Sequence, residues 1–191
     1  MKEKSEKVKK EIEESLKTIE KLLSPEVIEK ILKISDLISK TIKKNKKVLL
    51  CGNGGSAADC QHWACEMVGR FKKERKGINF ISLTTDTSVI TSISNDYKFD
   101  FVFSKQVEAI GEKGDILICF STSGKSKNIL EAAKKAKEKG LKTISFTGKI
   151  PNPLSKISDV TFSVPSTNTP RIQEIHCLLY HIISGLVEEN I

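Results

Sequence analysis

Along the first 45 residues apolar positions recur every three or four residues, and beyond Lys47 they gather into short continuous runs. Over residues 5–23, Val8, Ile12, Leu16, Ile19 and Leu23 trace one stripe of an amphipathic helix. Ser24-Pro25 reads as an N-cap followed by proline at the first position of a second helix. That helix has a broad apolar face, running from Val27 to Ile42. Together the two helices carry more apolar surface than a solvent-facing pair needs, which predicts packing on a core or on another subunit.

The later runs fall at 48–51, 78–83, 116–120, 143–146 and 160–164. Near-continuous apolar strands alternating with helical segments predict a parallel sheet covered on both faces. The expected fold class is therefore α/β, a doubly wound, flavodoxin-like five-stranded parallel sheet preceded by two helices. Residues 126–139 read as a helix ending at Gly140, and 170–189 as a last, long helix. The stretches 150–153 and 165–170 are loops too short to separate domains. We expect one domain over 1–191, with a helical pair at 1–45 for packing or oligomerisation and an α/β core at 46–191.

The overall charge of +8 raises the question of nucleic acid or membrane partners. The lysines are interspersed with acidic residues along helical stretches, which predicts a solvated surface and neither partner. Such a field still favours anionic substrates. The N-terminus mixes both signs of charge and has no apolar signal core, and no run reaches bilayer-spanning length, so a cytoplasmic location is expected. Five cysteines, an odd number without a CxxC pair, read as reduced and mostly buried thiols.

Candidate chemistry lies where strands hand over to helices. After the first strand comes Gly52-Asn53-Gly54-Gly55-Ser56, whose glycines allow a tight turn and whose helix start offers N–H groups and a hydroxyl to an anion or a sugar. After the third comes Ser121-Thr122-Ser123-Gly124-Lys125-Ser126, with more hydroxyls than one cap requires. In a 2-1-3-4-5 sheet the two loops border one crevice, at the switch point. The helix after the glycine loop carries His62 and Glu66 four residues apart on one face. On the last helix Gln173, Cys177 and His181 form a polar stripe among apolar neighbours, which either a structural network or a catalytic or metal-binding role would explain.

Together GNGGSAADCQHWACE, ISNDY, STSGKSKN and TPRIQEIHCLLYH resemble the successive motifs of the phosphoheptose isomerase family within the SIS superfamily of phosphosugar-binding domains, over most of the chain. The resemblance implies an aldose–ketose isomerase that converts sedoheptulose 7-phosphate to D-glycero-D-manno-heptose 7-phosphate, for bacterial lipopolysaccharide or related surface glycans. It implies Glu66 and His181 as the acid–base pair, with Glu66 handling the C–H proton. Ser121, Thr122, Ser123 and Ser126 would hold the phosphate. Asn53, Gly54, Gly55, Ser56, Asp96 and Gln173 would contact the rest of the substrate, although Asp96 could equally close a local turn. Arg70 could add charge near the site or lie on the exposed surface.

Some members of the family bind zinc, one per subunit, through residues matching His62, Glu66, Gln173 and His181. The metal-ligand and acid–base descriptions of Glu66 and His181 therefore compete. The resemblance further implies a homotetramer with sites at subunit interfaces. Two other readings share these motifs. One is a non-catalytic SIS protein that associates with a replication initiator, a group lacking the glutamate that matches Glu66. The other is an isomerase of a different sugar phosphate, a choice set by pocket length.

Overall fold

The computed structural model describes residues 1–191. Helices α1 (Lys2–Glu20) and α2 (Pro25–Lys43) are joined by one 3-10 turn, Lys21–Leu23, and by Ser24 in extended conformation. Pro25 opens α2 as expected, but the Ser24 side chain makes no capping bond. α2 buries Ile31, Ile34 and Ile38 in the core, whereas Val8, Ile12 and Leu16 of α1 stay exposed.

Strands β1 (Val48–Cys51), β2 (Phe80–Ser82), β3 (Ile116–Ser121), β4 (Lys142–Thr147) and β5 (Val160–Ser163) form one wholly parallel sheet in the order β2-β1-β3-β4-β5. Because side chains alternate across a strand, Val48, Leu50, Ile116, Ile118 and Phe120 face one layer while Leu49, Cys51, Leu117 and Cys119 face the other. α2, α3 (Gly55–Val68) and α8 (Thr169–Glu189) cover the first layer, where Trp63 packs against Phe80, Phe120, Phe146 and Tyr180. On the second face lie α5 (Ser104–Ile110), α6 (Lys127–Glu138) and Leu154 of α7 (Pro153–Ile157).

β2 is shorter than the apolar run at 78–83 that announces it, and α4 (Thr87–Asp96) and α5 fill a span for which the apolar pattern marks no specific helix. The loop at 150–153 ends sooner than expected. Asn152 caps α7 in a reciprocal box with Ser155, and Pro153 already occupies the first helical turn. All five cysteines are free, with Cys51, Cys60 and Cys119 buried, Cys177 half-buried and Cys65 exposed. No helix is long and apolar enough to cross a membrane.

Candidate active site

β1 and β3 are neighbours in the sheet, so the loops leaving their C-terminal ends share one crevice. The two loops are tied together by a reciprocal amide pair: Asn53 Nδ2 donates to Asn128 Oδ1 at 2.9 Å, and Asn128 Nδ2 donates to Asn53 Oδ1 at 2.8 Å. Asn128 is buried and Ser56 is buried beside the turn, its N–H bonded to the Asn53 carbonyl, while Gly54 and Gly55 are exposed. In the second loop Ser121 Oγ accepts from the Gly124 N–H and lies 3.3 Å from Ser126 Oγ. Ser126 occupies the N-cap of α6 without making a side-chain capping bond, and although the Ile129 N–H donates to Asn128 Oδ1, the Ser126 hydroxyl and the N–H groups of Lys127 and Asn128 can face an anion.

Gly124 is required twice over. Its φ of +64° lies in the left-handed region, and a Cβ there would come within 2.1 Å of Asn152 Oδ1. Asn152 is itself fixed by donating to Thr147 Oγ1 at 2.7 Å. Next to this turn a cavity of about 400 Å³ is bordered by Thr122, Ser123, Lys125, Lys149 and Thr167, a donor-rich and cationic setting for a phosphate. A larger recess of about 640 Å³, beside Glu26, Glu29 and Lys30, contains none of the motif residues.

The second constellation lies further along α3 and α8. His62 Nε2 is 3.0 Å from Glu66 Oε1, as their spacing on one helix face predicted. His181 reaches the same place from α8, its ring 5.0 Å from that of His62 and stacked on Phe71 at 5.8 Å. Burial lowers the His181 pKa, the neighbouring His62 adds to that, and Glu66 opposes it. Asp59, one turn before His62, has a buried carboxylate oxygen without a partner, and burial pushes its pKa up to about 6 against the pull of His62.

Of the residues expected at the site, His62, Glu66 and His181 are thus brought together within one chain. Gln173 stands two turns earlier on α8, half-buried against the glycine loop, where a Cβ on Gly55 would lie 2.4 Å from its Nε2. Asp96 ends α4 exposed and accepts a bond from the Asn95 side chain at 2.9 Å. Arg70 is exposed beside Glu74. Sequence reasoning assigned no role to Asn128, Phe71 or Tyr180, each of which makes a contact distant in the chain, or to Lys149, which borders the cavity.

A metal ion is a question for the donor set. His62, Cys177 and His181 each present a ligand atom, all within 4.8 Å of one another, and Glu66 borders them through His62. Imidazole, thiolate and carboxylate donors fit zinc. Cys177 is a donor beyond the set His62, Glu66, Gln173 and His181 that the resemblance implies.

Residues 9–148 match the SIS domain family. The chain is 46% identical to a phosphoheptose isomerase of Helicobacter pylori, over 95% of this chain and 91% of that protein. It is 48% identical to the phosphoheptose isomerase of a Nitratiruptor species, over 97% and 98%. Among solved structures, phosphoheptose isomerase GmhA from Neisseria gonorrhoeae superposes with a TM-score of 0.91 at 39% identity, covering 97% of this chain and 98% of that one. A phosphoheptose isomerase from Francisella tularensis gives 0.92 at 33% identity, with the same coverage.

Proposed function

Because the chain belongs to the phosphoheptose isomerase family of SIS-domain proteins, we propose that it interconverts sedoheptulose 7-phosphate and D-glycero-D-manno-heptose 7-phosphate, a step of bacterial heptose biosynthesis. The observation that carries the reading is the convergence of Glu66, His62 and His181 beside a crevice rich in phosphate-binding donors. Seven residues of helix separate Gly55 from His62, a rise of about 10 Å. An extended seven-carbon sugar phosphate bridges a span of that size, with its phosphate at the Ser121–Ser126 loop and its carbonyl end at the acid–base groups.

Isomerisation moves the carbonyl between C2 and C1. Glu66 takes a proton from C1, the electron pair forms the C1=C2 bond, and the C2 oxygen accepts a proton to give an enediol. The C1 hydroxyl proton then leaves, C2 is protonated, and the aldose results with no change in atoms or electrons. His181, kept neutral by its lowered pKa, exchanges the oxygen-bound protons. Ser121, Thr122, Ser123, Ser126 and the α6 N-terminus bind the phosphate, and Asn53, Ser56 and Gln173 orient the hydroxyls. We further propose one zinc ion per subunit held by His62, Glu66 and His181, where it would polarise the substrate oxygens; Gln173, eight residues before His181 and so about 12 Å along α8, is too far from them to share that ion within one chain.

The exposed apolar stripe of α1 supports assembly into a homotetramer with sites at subunit interfaces, and five free thiols support a reducing, cytoplasmic location. The test is turnover of sedoheptulose 7-phosphate by the purified protein, with and without zinc or a chelator. Glu66→Gln and His181→Gln are each expected to lower kcat by about 10²- to 10⁴-fold. A folded oligomer that binds phosphosugars and turns over none of them would refute the isomerase reading and support a non-catalytic SIS protein.

A further inference from the structure

Cys51, the last residue of β1, stands beside Cys119 of β3, and beyond them the chain turns into the two loops that wall the crevice. Asn53 and Asn128, 75 positions apart, bridge those walls. A side-chain amide has two N–H donors and an oxygen with two lone pairs. A third group decides which way each amide faces: the Ile129 N–H donates to Asn128 Oδ1 at 3.0 Å, so oxygen and not nitrogen occupies that corner. With that oxygen fixed, Asn53 Nδ2 must meet Asn128 Oδ1 and Asn53 Oδ1 must meet Asn128 Nδ2, because the reverse facing sets oxygen against oxygen and N–H against N–H.

Asn128 is 3% exposed, and its oxygen has both lone pairs in use. Asn53 is half-buried at the crevice and spends one N–H and one lone pair on Asn128, which leaves one of each for a ligand. A sugar hydroxyl both donates and accepts, so it is complementary to what remains. The backbone of Asn53 is held as well, its carbonyl accepting the Ser56 N–H at 3.0 Å.

We propose that Asn128 is a positioning residue of the phosphosugar site: it fixes the rotamer and the facing of the Asn53 amide, and through it presents a set donor and acceptor to the hydroxyls of the sugar chain. Asn128 is buried behind Asn53 and touches no substrate atom in this scheme. An unpaired asparagine on a turn samples several rotamers and both amide facings, and a ligand must then select one of them. The amide pair makes that selection in advance. Because it spans the crevice, it also holds the sugar-contacting loop in place against the phosphate-binding loop. The proposal rests on the reading of this crevice as a phosphosugar site and not on the isomerisation, because it concerns binding.

The test is a double-mutant cycle read as affinity for sedoheptulose 7-phosphate in titration calorimetry. Asn128→Ala should weaken binding about fivefold, the scale of one neutral hydrogen bond. KM should rise in step, with kcat changed by less than about twofold. In an Asn53→Ala background the same substitution should change the affinity by less than about twofold, since the side chain it acts through is gone. Asn128→Leu keeps the branching of asparagine without its polar atoms; it should match Asn128→Ala, and it carries the test if the alanine variant does not fold. An equal loss in both backgrounds, or wild-type affinity in Asn128→Leu, means that the side chain only packs and overturns the proposal, even in an active isomerase. Coupled losses of binding in a protein without turnover leave the proposal standing while the isomerase reading falls. A protein that binds no sugar phosphate overturns both.

Discussion

His176, five residues before His181 on α8, has the opposite environment. It is fully buried, its ring 5.4 Å from Phe120 and 6.0 Å from Phe146, and neither nitrogen has a hydrogen-bond partner. Burial drives its pKa down to about 3. In the unfolded chain the imidazole takes up a proton near pH 6.5 that the folded protein refuses. The neutral ring's contribution to stability is therefore whole above about pH 6.5 and is lost as the pH falls toward about 3. At about pH 4 the loss is on the order of 3 kcal/mol. His176→Leu should remove it, and urea unfolding at about pH 7 and pH 4 should show the two stabilities drawing together in the variant. At this same scale, Gly124→Ala should raise KM for the phosphosugar by at least tenfold, since the new Cβ collides with Asn152 under the phosphate turn. Single-residue features of the site were unevenly legible. His62 and Glu66 could be paired from their spacing because a helix fixes which residues are neighbours. Tyr180 is 118 positions from His62, and no local rule brings such residues together.

Between α3 and β2 the segment 69–77 has no regular structure, yet one carboxylate holds it. Glu188, near the end of α8, accepts from the N–H groups of Phe71, Lys72 and Lys73 and from Arg75 Nε, at 2.9 to 3.1 Å. Arg75 also donates to the carbonyls of Glu66, Met67 and Gly69 at the end of α3. Burial alone would raise the Glu188 pKa, but the three backbone amides and the guanidinium outweigh it and hold it below the usual range. Its contribution is thus present above the ordinary glutamate value and is lost as the pH falls through the lowered one, in the same direction as His176. Glu188→Gln places an N–H group among donors and should cost about 3 kcal/mol. The variant should also speed hydrogen exchange across 69–77 and loosen Phe71 from its stack on His181. Strands and long helices were read from the sequence because their apolar periods are strong. α4 was not, since TSVITSISND is built of β-branched and hydroxyl residues that disfavour helix, and its start is set by the Asp86 side chain accepting the Val89 N–H. α7 has five residues, too few for any period to show.

On the scale of the molecule, the two faces of the sheet are finished and α1 is not. Val8, Ile12 and Leu16 are 60%, 57% and 55% exposed, although all three lie on the stripe that the sequence marked as apolar. If the proposed homotetramer forms through this stripe, replacing Ile12 and Leu16 together by aspartate should leave the far-ultraviolet circular dichroism unchanged and give smaller species in sedimentation velocity. Turnover should fall with assembly if the sites are shared between subunits. The strand order and both crevice loops were legible because a parallel sheet dictates its own switch point. What covers α1 was not, because an apolar stripe does not name its partner. One boundary in the chain has a longer reach. The match to the SIS domain family ends at residue 148, so both crevice loops, His62 and Glu66 lie inside it, and Gln173 and His181 stand on the helix that follows. The proposed reagents are thus divided between two stretches, and altering α8 over an unchanged crevice is a route by which one phosphosugar receptor acquires a new reaction or gives its reaction up.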